Sequence, residues 1–409
     1  MSKASHRRPL RAALAATLAF VATALGPGMT GAQAPPGTGG APDPAASASA
    51  FDAQGMWIWY VSRSSGGTVG RIIARANRSG VHTVYIKAGD GSTGWSQFTS
   101  SLVSGLHAGG LRVCAWQFVY GNAPRTEAKV GAAAVGKGAD CLIIDAEGQY
   151  EGKYAAADRY IQGLRSRIGA TFPVSLAGFP YVDYHPGYPY SVFLGPGGAQ
   201  YSQPQMYWKA IGTSVGGVYA HTYRYNRIFK RPIYPIGQTY QNPGRRKLKK
   251  FRRFAINYGA GGVSWWSWQE TSRGEWKTLG RRVKRIRGFG PSFAHPTLKR
   301  GSRGDMVVWA QQHLIAAGQT QLPATGVFGG GTYNAVVAFQ QQSGLPADGV
   351  LGTQTWRKLL AFTPVRIAWG ARSADRSALS MRARPAGAHA PLSADLPARA
   401  YEISPGPGP

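Results

Sequence analysis

Short apolar runs recur between residues 55 and 290, each followed by a stretch able to form a helix. They are "GMWIWYV", "VHTVYIKAG", "LRVCAWQFVYG", "DCLIIDAEG", "PVSLAGFPYV", "QYSQPQMYW", "RPIYPIGQTY" and "GGVSWWSWQE". Their length and their β-branched and aromatic content suit interior strands. After the fourth run, Ala157, Tyr160, Ile161, Leu164 and Ile168 keep helical spacing and share one apolar face. Eight strand–helix units predict an α/β fold of the (β/α)8 TIM-barrel type over residues 55–290, since such barrels usually run to about 250 residues. An open doubly wound sheet would carry a Gly-rich phosphate loop after its first strand, and none follows "GMWIWYV".

Residues 291–362 follow a different pattern. "ATGVFGGGT" at 324–332 and "ADGVLGTQT" at 347–355 share A-x-G-V-x-G-x-x-T. The glycines permit a tight turn, and each Thr is placed to cap the helix that follows. The preceding helix, "GDMVVWAQQHLIAAG", sets Val307, Ala310 and Leu314 on one face and completes a small three-helix domain. With "LKRGSRGD" at its start and "FQQQSGLPADGVLG" in its middle, the segment resembles the peptidoglycan-binding domain of many secreted bacterial wall hydrolases. It departs at Thr325, where that turn often has an Asp, as Asp348 provides in the second copy. The resemblance implies peptidoglycan as a partner.

The two ends differ from both. Met1 to Arg11 is basic, Ala12 to Gly26 is apolar, and "TGAQA" supplies small residues, which predicts a secretory signal peptide over 1–32. Its apolar part is too short to span a bilayer comfortably, and no later segment is long and apolar enough to do so. A secreted, extracellular or wall-associated protein without a transmembrane segment is expected. Residues 33–54 form a Pro/Gly/Ala/Ser linker, and residues 363–409 a similar disordered tail.

Charge and cysteine content add two constraints. The 47 Lys plus Arg against 17 Asp plus Glu, formally +30, predict attraction to a polyanion. Charge alone leaves nucleic acid, an anionic membrane and an anionic wall polymer open; for an exported protein it points to wall polymers, with nucleic acid the weaker alternative and not an expected partner. "GRRKLKKFRRF" and "GRRVKRIRG" are most simply solvated helix faces that also suit such a polymer. Export permits a disulfide between Cys114 and Cys141, but their apolar settings favour two small buried hydrophobes. The eight His form no H-x-H or H-E-x-x-H pattern, so neither a metal nor a cofactor is expected.

The candidate chemistry lies in "DCLIIDAEGQY". Asp145 and Glu147 share one face of a strand's end, because side chains alternate with period two. TIM barrels place chemistry at the carboxy-terminal ends of their strands. Asp90, Asp183 and Glu270 fall at or just beyond other strand ends, where caps and salt bridges also account for them. Trp57, Trp59, Trp116, Tyr181, Tyr207, Trp266 and Trp268 lie in or immediately after the runs, and aromatic faces stack on sugar rings. Half of them are equally suited to filling the core, and Trp265 and Trp266 cannot both point inward.

Ile86-Lys87-Ala88, Ala108 to Leu111, and Asp145-Ala146-Glu147, in that order, resemble the family 25 glycoside hydrolases, lysozymes that cut peptidoglycan. The D-x-E and "QMYW" are also similar to family 18 chitinases. The chain departs from the family 25 pattern where Trp57 and Trp59 replace a first-strand Asp, and where the last strand brings Ser267, Trp268 and Glu270. The resemblance implies Glu147 as general acid and Asp145 as the ionised partner. Tyr207 would hydrogen-bond an N-acetyl group, and Lys87 would hold a carboxylate or pair with Asp145. Binding through Trp57, Trp59, Trp116, Tyr181, Asp183, Trp266, Trp268 and Glu270 completes the expected site. The rival expectation is a non-catalytic glycan-binding barrel.

Overall fold

The computed structural model describes residues 49–291 and 293–369. The predicted signal peptide, residues 33–48 of the predicted linker and residues 370–409 of the predicted tail lie outside the described residues. Eight strands run parallel: β1 (Ala53–Ile58), β2 (Thr83–Asp90), β3 (Arg112–Val119), β4 (Cys141–Ala146), β5 (Val174–Gly178), β6 (Tyr201–Pro204), β7 (Ile236–Gln238) and β8 (Gly262–Trp266). They are hydrogen-bonded in the order β6-β5-β4-β3-β2-β1-β8-β7. Parallel bridges Ser202–Ile233 and Gln205–Ile236 join the two ends, so the barrel is nearly closed. Helices α1 (Val69–Arg78), α2 (Ser100–Ala108), α3 (Pro124–Val135), α4 (Tyr154–Ile168), α5 (Tyr190–Phe193), α6 (Val215–Asn226), α7 (Arg245–Asn257) and α8 (Arg273–Leu279) alternate with the strands.

Strand alternation sorts the side chains into two cores. Trp57, Tyr85, Cys114, Trp116, Cys141, Ile143 and Trp266 fill the barrel interior. Met56, Val84, Ile86, Leu142, Ile144, Leu176 and Trp265 face the helices. Trp266 is therefore the inward member of the Trp265–Trp266 pair. Cys114 and Cys141 are register partners on β3 and β4, and they form a disulfide with Cα atoms 4.6 Å apart. This corrects the expectation of two unpaired hydrophobes: parallel neighbours with both side chains inward lie at bonding distance.

The barrel begins earlier than residue 55. Phe51 is buried against Tyr85, Tyr201 and Tyr234. Tyr234 donates a hydrogen bond to Asp52 at 2.8 Å. A large ring closing the barrel's lower end gives residues 49–54 the apolar contact that the linker composition alone did not suggest.

The carboxy-terminal helices are α9 (Asp305–Ala316), α10 (Gly330–Gln342) and α11 (Thr353–Leu359). In each copy of the repeat, one glutamine pins the turn. Gln311 accepts from Gly326 N and donates to Thr332 Oγ1, and Gln340 accepts from Gly349 N and donates to Thr355 Oγ1. Both turn glycines adopt left-handed backbone, φ 69° and 68°. The repeat threonines are not helix caps. They sit within the first turn, where their hydroxyls reach back to the carbonyls of Val327 and Val350. Thr325 does the work of the expected Asp, since its hydroxyl accepts from Val327 N as Asp348 accepts from Val350 N.

The outer ring of the barrel is thin at α5, a single turn followed by Gly195-Pro196-Gly197-Gly198, a sequence that cannot extend a helix. Helix α9 packs there. Trp309 donates to Ile228 O at 2.7 Å and its ring lies 5.2 Å from Phe229, while Ser191 donates through Oγ and N to the buried Asp305. Burial pushes the Asp305 carboxyl up to about 7, with the Ser191 hydrogen bonds opposing. Nearly every α9 side chain from Asp305 to Leu314 is consequently buried, not one face alone. The chain also remains anchored past residue 362. Arg366 pairs with Asp158 at 2.8 Å and Trp369 packs against Tyr154, so residues 363–369 are ordered where a disordered tail was expected.

Candidate active site

β4 delivers Asp145 and Glu147 into the barrel's carboxy-terminal mouth. Asp145 sits between Phe118 of β3 and Ala177 of β5, and Tyr188 braces the strand end by donating to Ala146 O at 2.9 Å. The two carboxylates are 2% and 5% exposed. One amide nitrogen serves both: Gln205 Nε2 donates to Asp145 Oδ1 at 3.1 Å and to Glu147 Oε1 at 2.9 Å. Gln205 itself is fixed at the end of β6 by its backbone bond to Gly178 O.

The electrostatics follow from this geometry. Burial raises the Asp145 carboxyl well above the usual carboxylate range, Glu147's charge raises it further, and Lys87 and Gln205 oppose the rise. Burial also raises Glu147, opposed by Gln205. Two dry carboxylates this close do not readily ionise together, so the pair retains a proton to higher pH than either group alone, and that proton belongs to the pair. Tyr207 stands beside them: its hydroxyl is raised first by burial, then by Tyr240, Asp145, Glu147 and Glu270. The Tyr240 ring lies edge-on to it, 5.5 Å away.

Lys87 lies in the same interior, 1% exposed, but its ion pair is with Asp90 at 2.6 Å and not with Asp145. Tyr120 donates to the other Asp90 oxygen at 2.8 Å. The ammonium is also boxed by the rings of Trp59, Trp95 and Trp116 at 4.6–5.1 Å. It therefore influences Asp145 through space while being held by another acid.

The aromatic candidates separate into four groups. Trp59, Trp266, Tyr207 and Tyr240 lie about the mouth. Trp57 and Trp116 are completely buried beneath them, with indole nitrogens donating to Ser264 Oγ and Ile58 O, and they fill the core where sugar stacking was expected. Trp268 turns outward onto Trp276, 4.7 Å between rings, and belongs to the helix layer. Tyr181 and Asp183 are drawn toward α6: Tyr181 stacks on His221 at 3.9 Å and Asp183 pairs with it at 2.7 Å. Glu270 is exposed on the rim and accepts from Ser267 Oγ at 3.3 Å. Among the described residues, no three His, Cys, Asp or Glu side chains gather as metal ligands. Sequence reasoning missed Gln205. Its signal was present, since it lies two residues before Tyr207 and so shares that residue's face.

Residues 303–359 match the family described as "Putative peptidoglycan binding domain". The carboxy-terminal helices are thus a peptidoglycan-binding domain joined to the barrel. No curated protein matches the chain. A peptidoglycan-binding protein from Clostridioides difficile is 42% identical over 16% of this chain and 40% of its own, with a TM-score of 0.15. The chain thus spans less than half of that relative. A chitinase from Chromobacterium violaceum aligns over 56% of this chain and 100% of its own, at 14% identity and TM-score 0.42. The spore cortex-lytic enzyme SleL of Bacillus cereus aligns over 58% and 76%, at 11% identity and TM-score 0.44. Among the described residues no helix is long and apolar enough to cross a membrane.

Proposed function

We propose that the protein is a secreted, wall-associated glycoside hydrolase, lysozyme-like in action, that cuts the N-acetylated sugar strand of peptidoglycan with Glu147 and Asp145. The observation that carries this reading is the buried carboxylate pair joined by one Gln205 amide at the barrel mouth. A pair that retains a proton supplies a general acid near neutral pH. Glu147 passes that proton to the glycosidic oxygen as the bond to the anomeric carbon breaks. Asp145, left ionised, orients the substrate's acetamido group, whose oxygen closes on the anomeric carbon. Water then opens the cyclic intermediate and returns a proton to Glu147. Two carboxylates on one strand leave little room for a separate base to activate water, which favours this substrate-assisted route over direct inversion. In this reading Tyr207 hydrogen-bonds the acetamido group. The Cys114–Cys141 disulfide suits an oxidising compartment, in keeping with export.

A second reading, a barrel that binds glycan without cutting it, is favoured by the Trp57 side chain plugging the first strand where an acid was expected. The Glu147→Gln variant separates the two. Gln keeps shape and hydrogen bonding but has no proton to transfer, so released reducing ends from purified walls should fall about 10²–10⁴-fold. Unchanged cleavage by a folded variant would overturn the assignment. Absence of cleavage by the wild type would favour the binding reading.

A further inference from the structure

The two basic runs meet in three dimensions. Helix α7 carries seven cations in thirteen residues, and the 281–287 segment carries five more. Arg252 Nη1 donates to the carbonyls of Leu279 and Arg281, Arg253 Nε to Lys284 O, and Asn257 clasps Ile286 through both its amide nitrogen and oxygen. The second run is thereby laid along the first. Leu248, Phe251 and Phe254 face inward, and most of the charged heads are exposed. No acidic side chain pairs with any of the twelve among the described residues.

Helix stability does not account for this arrangement. Arg245, Arg246 and Lys247 occupy the first turn, where the helix dipole disfavours cations, while the last turn has none. Arg245–Lys249, Arg246–Lys250 and Lys249–Arg253 are like charges at four-residue spacing, which repel. The protein thus maintains a strip about 20 Å long, at 1.5 Å per residue, whose charges oppose its own folding. Eight of the twelve cations are Arg, whose planar fork matches phosphate oxygens.

We propose that this face binds a linear phosphodiester polymer attached to the cell wall. The peptidoglycan-binding domain carries it to the wall, and a strand of regularly spaced phosphates matches a row of cations with no acid among them. The proposal does not depend on cleavage at the mouth.

The test compares the full chain with one bearing Arg246, Lys247, Arg282, Lys284, Arg285 and Arg287 all replaced by Gln, positions whose side chains make no hydrogen bonds among the described residues. Binding is measured to intact walls rich in such polymers and to the same walls stripped by hydrofluoric acid. At low salt the wild type should bind intact walls roughly tenfold or more tightly than stripped ones, and added salt should erase that advantage. The variant should bind both preparations as the wild type binds stripped walls, with an unchanged melting temperature. Equal wild-type binding to intact and stripped walls, or an advantage that the variant retains, would overturn the proposal. Tighter binding to duplex DNA than to the purified polymer at equal phosphate would overturn it in favour of nucleic acid.

Discussion

The barrel mouth and the α7 face hold charge in opposite ways. At the mouth two carboxyls are buried with one shared amide donor; along α7 and residues 281–287 twelve like charges stand largely in water with no acidic partner among the described residues. Each arrangement opposes stability, the first through desolvation and the second through repulsion and the helix dipole. Charges kept against their folding interest mark places where an outside partner completes the electrostatics. The difference lies in the controlling variable. Burial shields the mouth from ions, so pH governs it, whereas the face is open to screening, so ionic strength governs it.

The largest expected effect is at the mouth and couples activity with stability. Glu147→Gln should abolish most cleavage while leaving the melting temperature equal or slightly higher, because Gln keeps the hydrogen bonding and removes a buried carboxyl whose ionisation Asp145 opposes. Wall binding should persist through the carboxy-terminal domain. A structural ion pair would behave oppositely, with a lowered melting temperature and activity lost only in proportion to unfolding.

The disulfide beneath the mouth comes next. It closes a loop with 27-residue separation, for which chain entropy predicts about 3–4 kcal/mol of stabilisation. Denaturant midpoints of the Cys114→Ala/Cys141→Ala variant should fall accordingly, and salt should not restore them. A change under 1 kcal/mol would show that the barrel core holds the mouth without the bridge.

Gln205→Leu is expected to act through pH. Removing the shared N–H withdraws stabilisation from the ionised forms, so the pair's titration moves to higher pH and the alkaline limb of cleavage should move with it. The sign for stability follows. Carboxyls whose folded pKa lies above the unfolded value stabilise fully below the unfolded value and lose that contribution as pH rises through the folded one. Melting temperature should therefore stay high further up from the ordinary carboxylate range in Gln205→Leu than in the wild type, and fall by less in total over that rise in Glu147→Gln, which has one raised carboxyl fewer. An unmoved alkaline limb would remove Gln205 from the site.

The smallest effect has the opposite sign. Arg246→Glu puts an anion in the first turn of α7 and should stabilise the protein by about 0.3–1 kcal/mol at low salt. The gain should shrink as salt rises, while wall binding weakens. Destabilisation would mean that the Arg246 side chain has a structural partner.

The alternation of apolar runs was sufficient to predict an eight-stranded barrel and a small helical domain, because strand and helix periods are local properties of the chain. The A-x-G-V-x-G-x-x-T repeat likewise revealed its turns, since left-handed glycines are a local requirement. Asp145 and Glu147 were legible for the same reason: period two sets them on one face, and the strand's direction sets that face at the mouth. What the chain order could not reveal were relations between strands and helices distant in sequence. Gln205 meets the pair because β4, β5 and β6 lie side by side in the sheet, which carries a side chain 60 residues along the chain to Asp145. The same limit hid the disulfide, which needs the β3–β4 register. It also hid the burial of nearly every α9 side chain from Asp305 to Leu314, which follows from a fifth helix too short to cover the barrel. Hydrophobic periodicity is written residue by residue, so sequence alone determined the elements and the facing of the carboxylates. Partner choice depends on which distant atoms closure and packing bring within hydrogen-bond reach, and only the tertiary structure decided that.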